Sequence, residues 1–489
     1  MKLSLLGLDG LPLDLLNRAI SKLDLKGLRR AVEGGLKLQL RSVPPITPTA
    51  WTSIATGVNP AKHGVWGFTK YYRGQGGEHL SRPYTSVDVQ FPRVFEDAAM
   101  KGLDVTVVNY PLTWPLGSLC CLDRMTVVGD TFLAPRVEFS PGSLSSELRD
   151  YFPTPSDLGD PYSRTEKLVE GIHRLLSAVD SDAYFIVLPF PDQAFHRDHR
   201  EVLSVGRRSA EVWEAIDGLV QELESRSENM ILVSDHGIGV HRTCVNALAP
   251  LMECFGVGLP SSVKGRLALR LVTIMDRLST HMPPSLSPRE LSRRGPISAI
   301  RGRLSRLLGQ VARAATHETA GSESELSRQP FTYDAGGLSI DRLLYFRDEA
   351  SRDKALKCLA GDEVSKYLRV RRVEEVFRGV HMPSYPALFL ESMDDDRFHV
   401  ISSRSLARVR RDLMPDHREL GVMVVLSPQA KASAGVGLAS VYDVTPTALS
   451  LMGLPIPRGS DGVSLAGGEV TEYPYDAAAR VRRLSRRGP

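Results

Sequence analysis

The chain has 489 residues, 42% hydrophobic and 24% charged, with 61 Lys+Arg against 57 Asp+Glu. These proportions exclude a disordered chain, a fibrous repeat and a small disulfide scaffold, and leave room for a large core with insertions. The formal net charge of +4 is unevenly spread: Ser261–Ala315 carries 11 basic and two acidic side chains, and the last ten residues carry five arginines, so the remaining body is mildly acidic.

In chain order, Leu3–Leu8 (LSLLGL) reads as a first buried strand. Asp9 interrupts the apolar N-terminus and no small-residue cleavage site follows, so a signal peptide is not expected. Further short apolar runs at Val105–Asn109, Tyr184–Phe190, Met230–Ser234 and Gly421–Ser427 alternate with helical patterns. This alternation predicts an α/β fold, a mostly parallel sheet with helices on both faces. The expected organisation is a catalytic core in two parts, 1–257 and 331–468, around a basic helical insertion at 258–330, with a basic tail at 469–489 predicted to be disordered. The insertion is rich in Arg, Leu, Ser and Pro and is broken at Pro283–Pro284 and Pro288. No run approaches the roughly 18 apolar residues of a membrane span. Five cysteines, Cys120, Cys121, Cys244, Cys254 and Cys358, form no CxxC pair. That argues against a zinc ribbon or a redox pair and fits a reducing compartment, so a cytoplasmic location is expected.

Active sites of open α/β sheets lie beyond the carboxyl ends of strands. Asp9, Asp192 and Asp235 all follow predicted strands. One such aspartate alone reads as a turn former or a helix cap; three, two of them with a histidine close by, point to metal binding. Asp192 and His196 are four apart and share one helix face. Asp235 and His236 leave a strand directly, and Gly237 permits a tight exit. His417, in MPDHRELG ahead of the last long strand, is a further candidate ligand. Mixed Asp/His ligation suits zinc first and manganese next. Two such clusters imply two divalent ions clamping an in-line displacement at phosphorus. The candidate nucleophile is Thr47 in PPITPTAWTSIATG. Pro48 and Gly57 bracket a helix, which makes Thr47 its N-cap, where free N–H groups and the positive helix end favour an anion.

With these motifs in place, the sequence resembles the alkaline phosphatase superfamily, most closely its type I phosphodiesterase/nucleotide pyrophosphatase branch. The residues that carry the resemblance are LGLDG, PPITPTAWTSIATGVNPAKHGVWGF, VVNYPLTWPLG, PDQAFH, VSDHG, PDHRELG and VYDVTPTALSLMGLPIP, in that order. The resemblance covers the chain except the basic insertion and the tail, and it implies an alkaline-phosphatase-like core. It further implies that Asp9, Thr47, Asp235 and His236 bind one metal and that Asp192, His196 and His417 bind the other. Thr47 would attack phosphorus and form a phosphothreonine that water hydrolyses. The implied activity is a two-metal phosphohydrolase acting on a phosphodiester or pyrophosphate ahead of a phosphomonoester. A phosphomutase or phosphotransferase is the alternative enzyme, and a non-catalytic metal-binding protein recruited to anionic surfaces is the alternative outside enzymes.

The sequence departs from the branch at Phe68, where nucleotide pyrophosphatases carry an asparagine; either a nearby donor, Asn59, Lys62 or Lys70, takes its place or the substrate differs. TPTAW also lacks the Cys/Ser-x-Pro-x-Arg pattern of sulfatases. Segment 261–315 admits three roles: a cap whose arginines recognise a phosphorylated small molecule, an amphipathic surface for anionic membrane, or a solvated helical hairpin. No nucleic-acid motif accompanies its charge, and it contains no aromatic residue.

Overall fold

The five apolar runs form the middle of one nine-stranded sheet. The computed structural model describes residues 1–74, 79–153, 159–256, 331–332, 342–401, 406–430, 435–466 and 471–474. The first ten strands are β1 (Leu3–Leu8), β2 (Leu36–Arg41), β3 (Thr69–Arg73), β4 (His79–Pro83), β5 (Val105–Val108), β6 (Met125–Val128), β7 (Phe139–Ser140), β8 (Ala183–Leu188), β9 (Met230–Val233) and β10 (Gly237–Asn246). They are followed by β11 (Phe331–Thr332), β12 (Leu343–Phe346), β13 (Leu368–Arg372), β14 (Ala387–Ser392), β15 (Phe398–Ile401), β16 (Val409–Arg418), β17 (Leu420–Leu426), β18 (Gly437–Ser440), β19 (Ile456–Arg458) and β20 (Glu472–Pro474).

The central sheet has the order β18-β2-β17-β9-β1-β8-β5-β6-β7. Its middle, β9-β1-β8-β5-β6, is parallel throughout, whereas β17 runs antiparallel to both of its neighbours. Every residue of β1, β5, β8 and β9 is buried. A strand covered on both faces has no polar side to present, which is why these segments read as unbroken apolar runs. One face packs Leu6 of β1 with Leu16, Ile172 and Trp213 from the helices Leu13–Lys22, Pro161–Ala178 and Arg207–Arg226. The other packs Leu5 of β1 with Trp51, Phe95 and Leu449 from the helices Thr47–Thr56, Val94–Met100 and Val444–Leu451.

A three-stranded sheet, β15-β10-β16, and a four-stranded sheet, β11-β12-β14-β13, flank the core. The disulfide Cys254–Cys358 ties the helix Leu248–Phe255 to the helix Glu349–Ala360. This bridge departs from the reducing compartment expected from the cysteine pattern; its two cysteines lie 104 residues apart, and no spacing rule marks such a pair. The tail expected to be disordered includes β20, which pairs with β19, and the Tyr473 hydroxyl donates to Asp97. The basic insertion, with its 261–315 segment, lies outside the described residues. Among the described residues no helix is long and apolar enough to cross a membrane.

Gly7 brings β1 against the Thr47–Thr56 helix, because a Cβ there would overlap the Trp51 ring. The Trp51 indole also donates to Asp9 Oδ2 at 3.3 Å and meets Tyr110 edge-on at 5.6 Å. Gly7→Ala is therefore expected to destabilise the protein by about 1–3 kcal/mol through overpacking. Denaturant unfolding measures this, and unchanged stability would show that the indole has room to move.

Candidate metal centre

The sheet order sets β9, β1 and β8 side by side, so Asp235, Asp9 and Asp192 emerge next to one another at the carboxyl ends of adjacent strands. Asp9 and Asp235 are buried with His236, which extends Nε2 to 3.5 Å from Asp9 Oδ1 and 3.3 Å from Asp235 Oδ2. Thr47 Oγ1 lies 3.4 Å from the same Nε2. Asp192 opens the helix Asp192–Ser204, and its Oδ1 is 3.3 Å from both His196 Nε2 and His417 Nε2. Those two imidazole nitrogens are 3.0 Å apart. The rings of His236 and His417 stack at 3.9 Å and join the two groups. All seven residues singled out in the sequence thus meet in one cluster, which opens to solvent at His196, whose side chain is 44% exposed.

Four of these side chains, Asp9, Asp235, His236 and His417, are aimed inward by a partner on the other side. Asp9 spends Oδ2 on the Trp51 indole and Asp235 spends Oδ1 on the Gly10 amide at 3.2 Å. This leaves Asp9 Oδ1 and Asp235 Oδ2 buried without a hydrogen-bond partner, as is Asp192 Oδ1. His236 Nδ1 donates to the Gly237 carbonyl at 3.0 Å, and His417 Nδ1 to the Pro45 carbonyl at 2.9 Å, so both rings present Nε2. Orphaned carboxylate oxygens facing imidazoles whose second nitrogen is held by a carbonyl are the donor set of a borderline divalent cation. The groupings Asp9–Asp235–His236, Asp192–His236–His417 and His196–Asp416–His417 each bring three such atoms within reach of one ion.

The electrostatics follow the same geometry. Burial, then the neighbouring carboxylates, pushes Asp9 and Asp235 well above the usual carboxylate range. Burial also acts upward on Asp192, but His196 and His417 outweigh it and hold that carboxyl well below the range. Burial and then His417 lower His236 to about 3. In His417 burial pulls downward, and Asp192 with Asp416 overcomes it to reach about 10.

Three details differ from the sequence expectation. Thr47 is the first residue of its helix, with Ile46 in the cap position, and it makes no capping bond; its hydroxyl turns to His236 instead. His417, expected only to precede the apolar strand β17, lies within a strand of its own, β16, opposite Ile238 of β10. The three substitutes for the missing asparagine are tied up elsewhere. Asn59 caps the helix Pro60–His63 and donates to Asp461 at 2.7 Å, Lys62 pairs with Asp461, and Lys70 pairs with Asp88 at 2.8 Å. Phe68 itself, just ahead of β3, is 38% exposed. Sequence reasoning missed Asp416, although it adjoins His417 in the same motif, and it missed the supports from Trp51 and Gly10.

The family model described as type I phosphodiesterase / nucleotide pyrophosphatase matches residues 3–318. No curated protein matches the chain in sequence. Among solved structures, phosphonoacetate hydrolase from Sinorhizobium meliloti 1021 with phosphonoformate is similar at a TM-score of 0.56 and 17% identity, over 92% of this chain and 95% of that one. Murine ectonucleotide pyrophosphatase / phosphodiesterase 5 is similar at 0.51 and 11% identity, over 93% and 96%. At these identities the likeness is one of fold, and that fold is alkaline-phosphatase-like.

Proposed function

Because the chain belongs to the type I phosphodiesterase / nucleotide pyrophosphatase family, we propose that it is a two-cation phosphohydrolase that cleaves a phosphodiester or pyrophosphate through Thr47. The observation that carries this reading is the convergence of Asp9, Thr47, Asp192, His196, Asp235, His236 and His417 in one cluster. Bound divalent cations, zinc before manganese on the donor set, supply Lewis-acid stabilisation of charge on phosphoryl oxygens. The residues do the rest. Asp9, Asp235 and His236 hold one cation beside Thr47, and Asp192, His196 and His417 hold the other beside the solvent opening.

Thr47 Oγ forms a bond to phosphorus as the bond to the leaving oxygen breaks, which leaves a phosphothreonine and a released alcohol or phosphate. Water then attacks that phosphorus and returns the free hydroxyl. The helix that begins at Thr47 directs its positive end at the phosphoryl group. With Phe68 in place of an amide and Asn59, Lys62 and Lys70 committed elsewhere, the site makes no side-chain amide contact to phosphate from this segment.

The test is a screen of the zinc- or manganese-loaded protein against monoesters, diesters and nucleotides. Cleavage of bis-p-nitrophenyl phosphate that stops with chelator and returns with metal is expected. No turnover on any phosphoester would overturn the reading.

A further inference from the structure

Beside the main chain of His417 and its neighbour Asp416 lie two more histidines that the proposed chemistry does not use. His241 on β10 is fully buried and His399 on β15 nearly so. Their rings lie 4.7 Å apart, tilted by 32°. His241 Nε2 donates to the His417 carbonyl at 3.0 Å. His399 Nε2 sits 3.0 Å from Asp416 Oδ2, and the other oxygen of Asp416 accepts the His417 amide at 2.8 Å. Both main-chain polar groups of His417 are therefore engaged by side chains. Those side chains converge on the pair of tilted rings, whose Nδ1 atoms have no hydrogen-bond partner; His399 Nε2 meets Asp416 as a close polar contact and not as an aligned hydrogen bond. The polar contribution of each ring thus runs through Nε2 toward the 416–417 segment.

The need for such a support is visible in the strand. β16 reads VRRDLMPDHR, charged along its length and carrying Pro415, and it lies at the edge of its sheet. Its register against β10 shifts between His241 and Thr243. A ladder bond is absent wherever proline stands, and an edge strand has a partner on one side only. A cation ligand on such a strand requires its main chain to be fixed by other means.

We propose that His241 and His399, the latter through Asp416, are positioning residues that fix the main chain of His417 and thereby set the affinity of the cation site formed by Asp192, His196 and His417. This deepens the two-cation reading and rests on it. Supports of this kind typically change metal affinity 10- to 100-fold.

Zinc titration of the metal-stripped full chain, read by competition with a chromophoric chelator, tests it. Wild type takes up two equivalents. His399→Phe keeps the ring contact but loses the nitrogen facing Asp416. It takes up one equivalent with unchanged affinity and the second about 10- to 100-fold more weakly. His241→Phe behaves in the same way, and His399→Leu supplies the reading if the Phe variant does not fold. Val400→Ala removes buried packing from the same strand, β15; it lowers the melting temperature and leaves the second affinity unchanged. Unchanged second-site affinity in the histidine variants overturns the positioning role, as does equal weakening by Val400→Ala. A wild type that binds fewer than two equivalents overturns the two-cation reading and the positioning role together.

Discussion

Thr47→Ala is expected to lower kcat/KM on a p-nitrophenyl diester by at least about a thousandfold while the protein still binds zinc. In the proposed mechanism the substitution removes the group that bonds to phosphorus, and loss of a nucleophile leaves only what binding and charge stabilisation achieve alone. Metal retention follows from the geometry. Asp9, Asp235 and His236 still converge, with His236 Nε2 at 3.5 and 3.3 Å from the two carboxylates. Their inward aim comes from Trp51, Gly10 and the Gly237 carbonyl, none of which touches the Thr47 hydroxyl. Thr47→Ser keeps an oxygen at the same place and is expected to recover much of the rate. Acid quenching of the wild type during turnover should trap one phosphoryl group on the peptide that contains residue 47. Full activity in the alanine variant would remove Thr47 as nucleophile; loss of zinc with loss of rate would make it a ligand first.

The buried centre of this protein was legible in its sequence, and the periphery was not. Leu3–Leu8 matches β1 to the residue, and the other four apolar runs fall within two residues of their strands. Burial on both faces leaves a continuous apolar signal with little to confuse it. The strands β10 and β16 lack that signal: GIGVHRTCVN and VRRDLMPDHR alternate weakly and are half charged or small. They are strands because they pair with each other, and pairing partners more than 160 residues apart leave no local mark. The ligands show the same divide. Asp192 and His196 were legible as a pair because helical spacing fixes their relation, and Asp235–His236 because the chain turns at Gly237. Asp416, His241 and His399 were missed because a residue that acts through a neighbour's main chain carries no spacing of its own. The placement of Thr47 shifted by one position, from cap to first helical residue, because its hydroxyl turns to His236 and not back to its own helix.

Asp235→Asn is expected to reverse its effect on stability with the presence of metal. In chelator the variant should melt higher than wild type; in saturating zinc it should melt lower and be inactive. Asp9 and Asp235 are both fully buried, within ligand distance of each other, and each has one oxygen without a hydrogen-bond partner. A buried carboxylate in that position is destabilising unless a positive charge compensates it. Asparagine keeps the oxygen that accepts the Gly10 amide and replaces the orphaned oxygen with a donor facing Asp9, so the metal-free fold gains. With metal the balance changes sign. A ligand that binds only the folded state stabilises it by about 4 kcal/mol at a thousand times its dissociation constant. Loss of a charged ligand forfeits much of that. Scanning calorimetry of both proteins, with chelator and with zinc, reads the crossing directly. If the asparagine variant melts lower under both conditions, Asp235 supports the fold through contacts other than a cation, and the metal assignment at Asp9, Asp235 and His236 fails. The crossing is the expected result because the same buried charge that weakens the empty cluster is what binds the ion.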